Sequence, residues 1–240
     1  MTEMARRFLR QRFSSAGIVI AIAALALTSA SQIVGSGGRA GFEIGTLALL
    51  VLAAGCVARD ASGGALQMIL CRPIRRSEYL LGRYAGILIA FAIFLLASAG
   101  TGIVLARAVL PMMGHPGPPL AFDQLGTQLA AAFLSALASA AVILLLSTFL
   151  PGYGDVLGFI LLTPLAALPA IASQILHWPA LGRFGDLLRE NLLPSLDWAA
   201  VLHGNDPLGA ATGRWVLAVV LYLVGALALF SRREFAYGQD

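Results

Sequence analysis

The sequence predicts an all-α integral membrane protein with six transmembrane helices, an N-terminal interfacial amphipathic helix and both termini in the cytoplasm. Three observations carry that expectation. Of 240 residues, 59% are hydrophobic and only 12% charged, about half the ~25% charged content of soluble domains. The mean hydropathy is +0.85, and apolar runs of ~20 residues recur, long enough to cross the hydrocarbon core as helices. Finally, the arginines cluster in alternate gaps between those runs.

Residues 1–15 come first. MARRFLRQRF sets Met4, Phe8, Leu9 and Phe13 on one helical face and Arg6, Arg7 and Arg10 elsewhere, a pattern suited to lying in the inner membrane interface. RRFLR is also similar to a twin-arginine export signal, with TSAS as a cleavage site. Five further spans make a cleaved signal unnecessary.

The spans are expected at Gly17–Val34, Phe42–Ala58, Gly86–Ala106, Leu125–Leu150, Val156–Leu176 and Leu208–Phe230. The fifth contains Pro164 and Pro169 and should be kinked or broken. In the fourth, Ala132, Ser135, Ala136, Ser139 and Ala140 form a stripe of small residues that lets a neighbouring helix approach closely. HPGPP, from His115 to Pro119, is a stiff turn between spans three and four. Residues 179–207 mix Leu187, Leu188, Leu192, Leu193, Trp198, Val201 and Leu202 with Asp186, Arg189, Glu190 and Asp197, which reads as a re-entrant or amphipathic extracytoplasmic segment.

Orientation follows from the arginines. Eleven lie before span one, between spans two and three, and after span six, against five on the other side, Arg214 near the outer end of span six among them. The chain is thus one transmembrane domain over residues 1–240, with the segment 59–85 as its main cytoplasmic loop.

All 16 basic residues are arginine. Without lysine, neither a phosphate-binding loop of the G-x-x-x-x-G-K-[ST] type nor a Schiff-base lysine is available, so any use of ATP requires another protein's active site. Cys56 and Cys71 offer no disulfide framework. His115, His177 and His203 stand at no metal-ligand spacing, and Met112, Met113 and His115 read as a solvated loop, leaving no metal site expected. Glu43 and Arg107, near the outer ends of spans two and three, are placed to snorkel. No span carries a charge pair or aromatic cluster that would select a substrate.

The loop RDASGGALQMILCRPIRRSEYLLGRYAG is the most informative stretch. Asp60 can cap a helix. Leu66, Ile69 and Leu70 share one face of a short helix over Ala65–Arg72, which Pro73 terminates. Such a face needs a protein groove or the lipid surface to cover it. The run resembles the cytoplasmic coupling loop of type-2 ATP-binding-cassette (ABC) transporter permeases. Asp60, Gly64, Leu66, Leu70, Pro73, Arg76, Gly82 and Arg83 take the places of that family's recurrent residues. The family often has two acidic residues ahead of the glycine, where Asp60 here stands alone. The six-span layout and the terminal FSRREFAYG are similar as well.

The resemblance implies the membrane permease subunit of an exporter in a bacterial cytoplasmic (inner) membrane. It would pair with a second permease protomer, identical or related, and be driven by a cytoplasmic ABC ATPase that binds the ATP and magnesium. No cofactor is then expected in this chain, and no catalytic residue. The loop helix, Ile69 included, would take the ATPase's push, with Gly152, Tyr153, Gly154 and Asp155 as a smaller second contact. GYGD also matches the GxGD of intramembrane aspartyl proteases, whose chemistry needs two carboxylates around one water. Asp60 is the available second acid. A tight turn, with Asp155 capping span five, is the structural alternative, and a non-enzymatic membrane scaffold is the third reading of the whole chain.

Overall fold

A computed structural model describes residues 2–57, 60, 75–150, 153–178, 180, 182–183, 185, 196, 198–202 and 209–232. Among these, every regular element is helical: α1 (Thr2–Phe13), α2 (Ala16–Ser36), α3 (Gly45–Ala53), α4 (Arg76–Met112), α5 (Phe122–Phe149), α6 (Gly154–Leu176), α7 (Trp198–Leu202) and α8 (Ala210–Arg232). Four helices are long and apolar enough to cross a membrane: α2, α4, α5 and Ala211–Arg232 of α8.

The long helices run between two ends of a bundle. α2 leaves one end at Ser15 and stops at Gly37, whose φ of 65° lets the Gly38 amide turn back onto the Ile33 carbonyl. The Gly37 carbonyl then accepts from the Ala121 amide at 3.0 Å, which joins the end of α2 to the start of α5. α4 rises beside α2 and α5 descends against α4. α8 returns to the first end, where the Ser231 carbonyl accepts from Arg76 Nη1 at 2.7 Å. Arg6, Arg7, Arg10, Arg12, Arg76, Arg83 and Arg232 belong to helix segments at that first end, here called the arginine-rich end.

α4 and α5 form the centre of the bundle, α4 against α1, α2, α3 and α8, and α5 against α3, α6, α7 and α8. Their shared core is large and aromatic: Phe8, Tyr79, Phe91, Phe94 and Phe230 are all but completely buried. Tyr79 and Phe230 stack with centroids 5.7 Å apart. A second cluster sits beside α5, where Trp198 of α7 meets Trp215 of α8 edge-on at 4.8 Å over Ala131, Ala138 and Ala141. Edge-to-face pairs of this kind add ~1 kcal/mol beyond their area. The outer faces of α4 and α8 remain apolar and exposed, as at Leu96, Leu217 and Leu221, which suits contact with lipid.

Several expectations change. The span over Phe42–Ala58 is not one helix: α3 covers only Gly45–Ala53, and the backbone then turns at Gly55, whose φ of 62° belongs to glycine. The third span, expected from Gly86, starts ten residues earlier at Arg76, because Tyr79, Leu80 and Ile87 continue the buried face of α4. α4 also passes through a π-helical turn at Leu105–Val109. Of the two outcomes expected at Pro164 and Pro169, the break does not occur: α6 continues through both. Helix α1 also packs part of its apolar face on protein: Met4, Ala5 and Phe8 are buried while Phe13 stays exposed, and Phe8 lies so close to α4 that a Cβ on Gly86 would stand 2.7 Å from its ring.

Candidate functional site at the arginine-rich end

The arginine-rich end holds a buried polar centre at the root of the 59–85 loop. Its charged member on α4 is Arg83, one helical turn beyond Tyr79, so both side chains project from one face. Asp60 is only 4% exposed and Arg83 only 6%. The Asp60 carboxylate accepts from Tyr79 Oη at 2.7 Å and from Arg83 Nη2 in a closer contact. Arg83 Nη1 also donates to Gln11 Oε1 at 3.1 Å, which brings α1 into the same network. The Arg83 guanidinium lies over the rings of Phe8 and Tyr79, 5.3 Å from each centroid, a favourable placement for a desolvated cation.

A burial this deep is unfavourable for either charge alone. Taking an isolated carboxylate or guanidinium out of water costs several kcal/mol, and only a paired, hydrogen-bonded arrangement offsets it. The pair therefore ties Asp60 to α4. Asp60 can occupy its site only with Arg83 opposite, and Arg83 only with Asp60. The amides that Asp60 is expected to cap lie outside the described residues; the contacts described for its carboxylate run to α4.

The turn just before Asp60 is held from the other side. Asp155, completely buried near the start of α6, accepts from the Gly55 amide through both carboxylate oxygens, at 2.8 and 3.1 Å. It also accepts from its neighbour Val156's amide at 2.9 Å. Ser147 Oγ, near the end of α5, accepts from the Val57 amide at 3.1 Å. Arg12, 5% exposed, donates to the Ala54 carbonyl and lies 5.2 Å from the Phe8 ring centroid. Residues 54–57 are thus gripped by α1, α5 and α6. Backbone amides that α3 can no longer satisfy after Ala53 find side-chain acceptors instead. Cys56 sits inside this grip as a buried free thiol.

Of the sequence-derived loop residues, the structure brings Asp60 and Arg83 together. Arg76 stands at the surface, tied to α8, and Gly82 is buried against the core. Gly64, Leu66, Ile69, Leu70 and Pro73 lie outside the described residues, as does Gly152. Asp155 sits one residue inside α6, and its grip on Gly55 links two segments 100 residues apart. Tyr153 is exposed, and Gly154 packs against Leu150. Tyr79, Gln11, Arg12 and Ser147 were not singled out from sequence; the available signal was a tyrosine four residues before an arginine in an apolar helix.

The opposite end differs from expectation too. The small-residue stripe of α5 divides its work: Ala136 and Ala140 pack in the core, while Ala132, Ser135, Ala136 and Ser139 line a cavity of about 390 Å³ with Arg39 and Glu43. Arg39 and Glu43, from the segment between α2 and α3, lie there with aromatic side chains of other elements, Phe91 and Trp198, so the grouping belongs to no single span.

Helices of membrane-crossing length, joined around a buried polar root, make this a multi-pass helical membrane protein. The chain matches no family model and no curated protein.

Proposed function

We propose that this chain is the permease subunit of an ABC exporter in a bacterial cytoplasmic membrane. In this reading the six spans include α6 and the segment that contains α3, and both termini and the arginine-rich end face the cytoplasm. Two protomers form the path, and a separate ATPase supplies ATP hydrolysis through the part of the expected 59–85 loop that precedes α4 at Arg76. The observation that carries the reading is the anchorage of that loop. A loop that transmits force must be fixed to the spans at its base, and here the base is fixed by a buried ion pair to α4, by Asp155 of α6 and by Ser147 of α5. The amphipathic helix α1 joins the same base through Gln11 and Arg12. A push on the loop would reach four helices at once.

The same contacts weigh against proteolysis as the chain's activity. Asp60 is neutralised by Arg83, and Asp155 is occupied by backbone amides, whereas a protease dyad shares a proton between its carboxylates.

The test is purification in mild detergent from the native host, comparing wild type with the double variant Leu66→Asp/Ile69→Asp. The expected result is a nucleotide-binding ATPase that accompanies wild type and is missing from the variant. A correctly inserted wild-type chain that brings no ATPase would overturn the proposal.

A further inference from the structure

We infer that the cavity at the end opposite the arginine-rich end is a binding site for an amphipathic organic molecule with a zwitterionic head. Its volume of about 390 Å³ falls within the ~300–1,000 Å³ of small-molecule sites. α5 supplies one wall, where Gln128, Ser135 and Ser139 line the space. Gln128 and Ser139 are eleven residues apart, so at 1.5 Å per residue the wall descends about 16 Å, roughly half of the ~30 Å hydrocarbon thickness. Polar groups carried that deep into a membrane protein face a water-filled or ligand-filled space rather than lipid.

The two ends of the cavity have different chemistry. Arg39 and Glu43 belong to the segment between α2 and α3, both line the space, and both are exposed. They make no ion pair with each other; the ion pairs between described residues are Arg7–Glu3 and Arg83–Asp60. One fixed cation and one fixed anion, unspent on each other, match a ligand head that carries both signs. Deeper in, Phe91, Leu49 and Trp198 are buried and line the same space, which provides an apolar and aromatic bed for the ligand's body. A purely anionic or cationic head would meet a like charge at the mouth, and a fully polar solute would leave the bed unfilled.

In the permease reading this ligand is the cargo or a stage on its path, and the inference deepens that reading. The binding itself needs no ATPase. The experiment therefore uses the purified full chain in non-ionic detergent with calorimetric titration, so that failed ATPase capture and failed binding remain separate outcomes. The probes are diheptanoyl-phosphatidylcholine for a lipid source, free phenylalanine for a water-soluble source, and diheptanoyl-phosphatidylglycerol as the anionic counterpart of the first.

Saturable binding of phosphatidylcholine or of phenylalanine is expected, and which of them binds assigns the source. Affinity should fall by about tenfold or more in Arg39→Glu and in Glu43→Arg, a change worth ~1.4 kcal/mol. It should recover substantially in the swapped double variant, which restores one charge of each sign. Ser135→Trp should block binding by filling the cavity. Three results would each overturn the inference: no saturable binding of either zwitterion, equal binding of phosphatidylglycerol, or wild-type affinity in both single variants.

Discussion

Replacing Asp60 with asparagine isolates the charge term at the loop root. The side chain keeps its size and one oxygen that can accept from Tyr79, so packing around it changes little. Arg83 keeps its charge at 6% exposure without a counter-ion. Breaking a buried pair by removing one partner costs ~3–5 kcal/mol. Arg83 retains its bond to Gln11 and its positions over Phe8 and Tyr79, each worth ~1 kcal/mol, so the lower figure of ~3 kcal/mol applies. The double variant Asp60→Asn/Arg83→Met removes both charges and should regain most of that loss, leaving a coupling energy of about 2 kcal/mol or more. The assay is thermal unfolding in detergent, followed by maleimide labelling of the Cys56 thiol in a Cys71→Ser background. Cys56 is buried beside the network and reports its opening directly. Additive losses in the double variant, or an Asp60→Asn chain as stable as wild type, would refute the claim that the two charges hold each other in place.

Three further perturbations test the parts around that pair. Asp155→Ala should cost ~1–3 kcal/mol, because the Gly55 amide loses both its acceptors inside the bundle, and Cys56 labelling should speed up at temperatures where wild type is still protected. Gly55→Ala places a Cβ at φ 62° and should cost ~1–2 kcal/mol, read as a lower unfolding midpoint in the same assay. Gly86→Val drives a side chain into Phe8 and should cost ~1–3 kcal/mol. Proteolysis at the arginines of α1 should show that helix coming free before the bundle unfolds, and protection equal to wild type would count against the packing of Phe8 on α4.

The long helices were legible because composition alone requires them: twenty apolar residues have few other stable states in lipid. α2, α5 and α8 accordingly fall within a few residues of their expected bounds. The early end of α3 was not legible. Gly55, Cys56 and Val57 read as apolar continuation, and the turn there depends on acceptors from Ser147 and Asp155, some 90 to 100 residues away. Local hydropathy carries no trace of such partners. Helix α1 shows the same limit in another form. Its apolar face was plain, but the contact of Phe8 with Gly86 of α4 was not, because an interfacial helix and one packed on a protein groove share that pattern. At the site, Asp60 and Arg83 were both marked by the loop motif, yet their pairing required Tyr79, Leu80 and Ile87 to extend α4 back to Arg76.

The loop root and the cavity are joined by two long helices, α4 and α5. α4 carries Arg83 at the loop root and Phe91 on the cavity wall, while α5 carries Ser147 at the root and Ser139 on that wall. Each pair is eight residues apart in one helix, or about 12 Å. Neither helix is interrupted over those stretches, and α4 and α5 pack on each other along the core, so neither can shift at the root without moving its side of the cavity. Spatial continuity alone does not establish coupling; a change in cavity affinity caused by a change at the root would. Asp60→Asn touches no residue of the cavity, yet it loosens the root from α4. We predict that it alters the affinity for whichever zwitterionic probe binds wild type, by several-fold at a temperature where the variant is still folded. Identical affinities in the two chains would mean that root and cavity act independently, and a push on the loop would then need a route to the cavity other than α4 and α5.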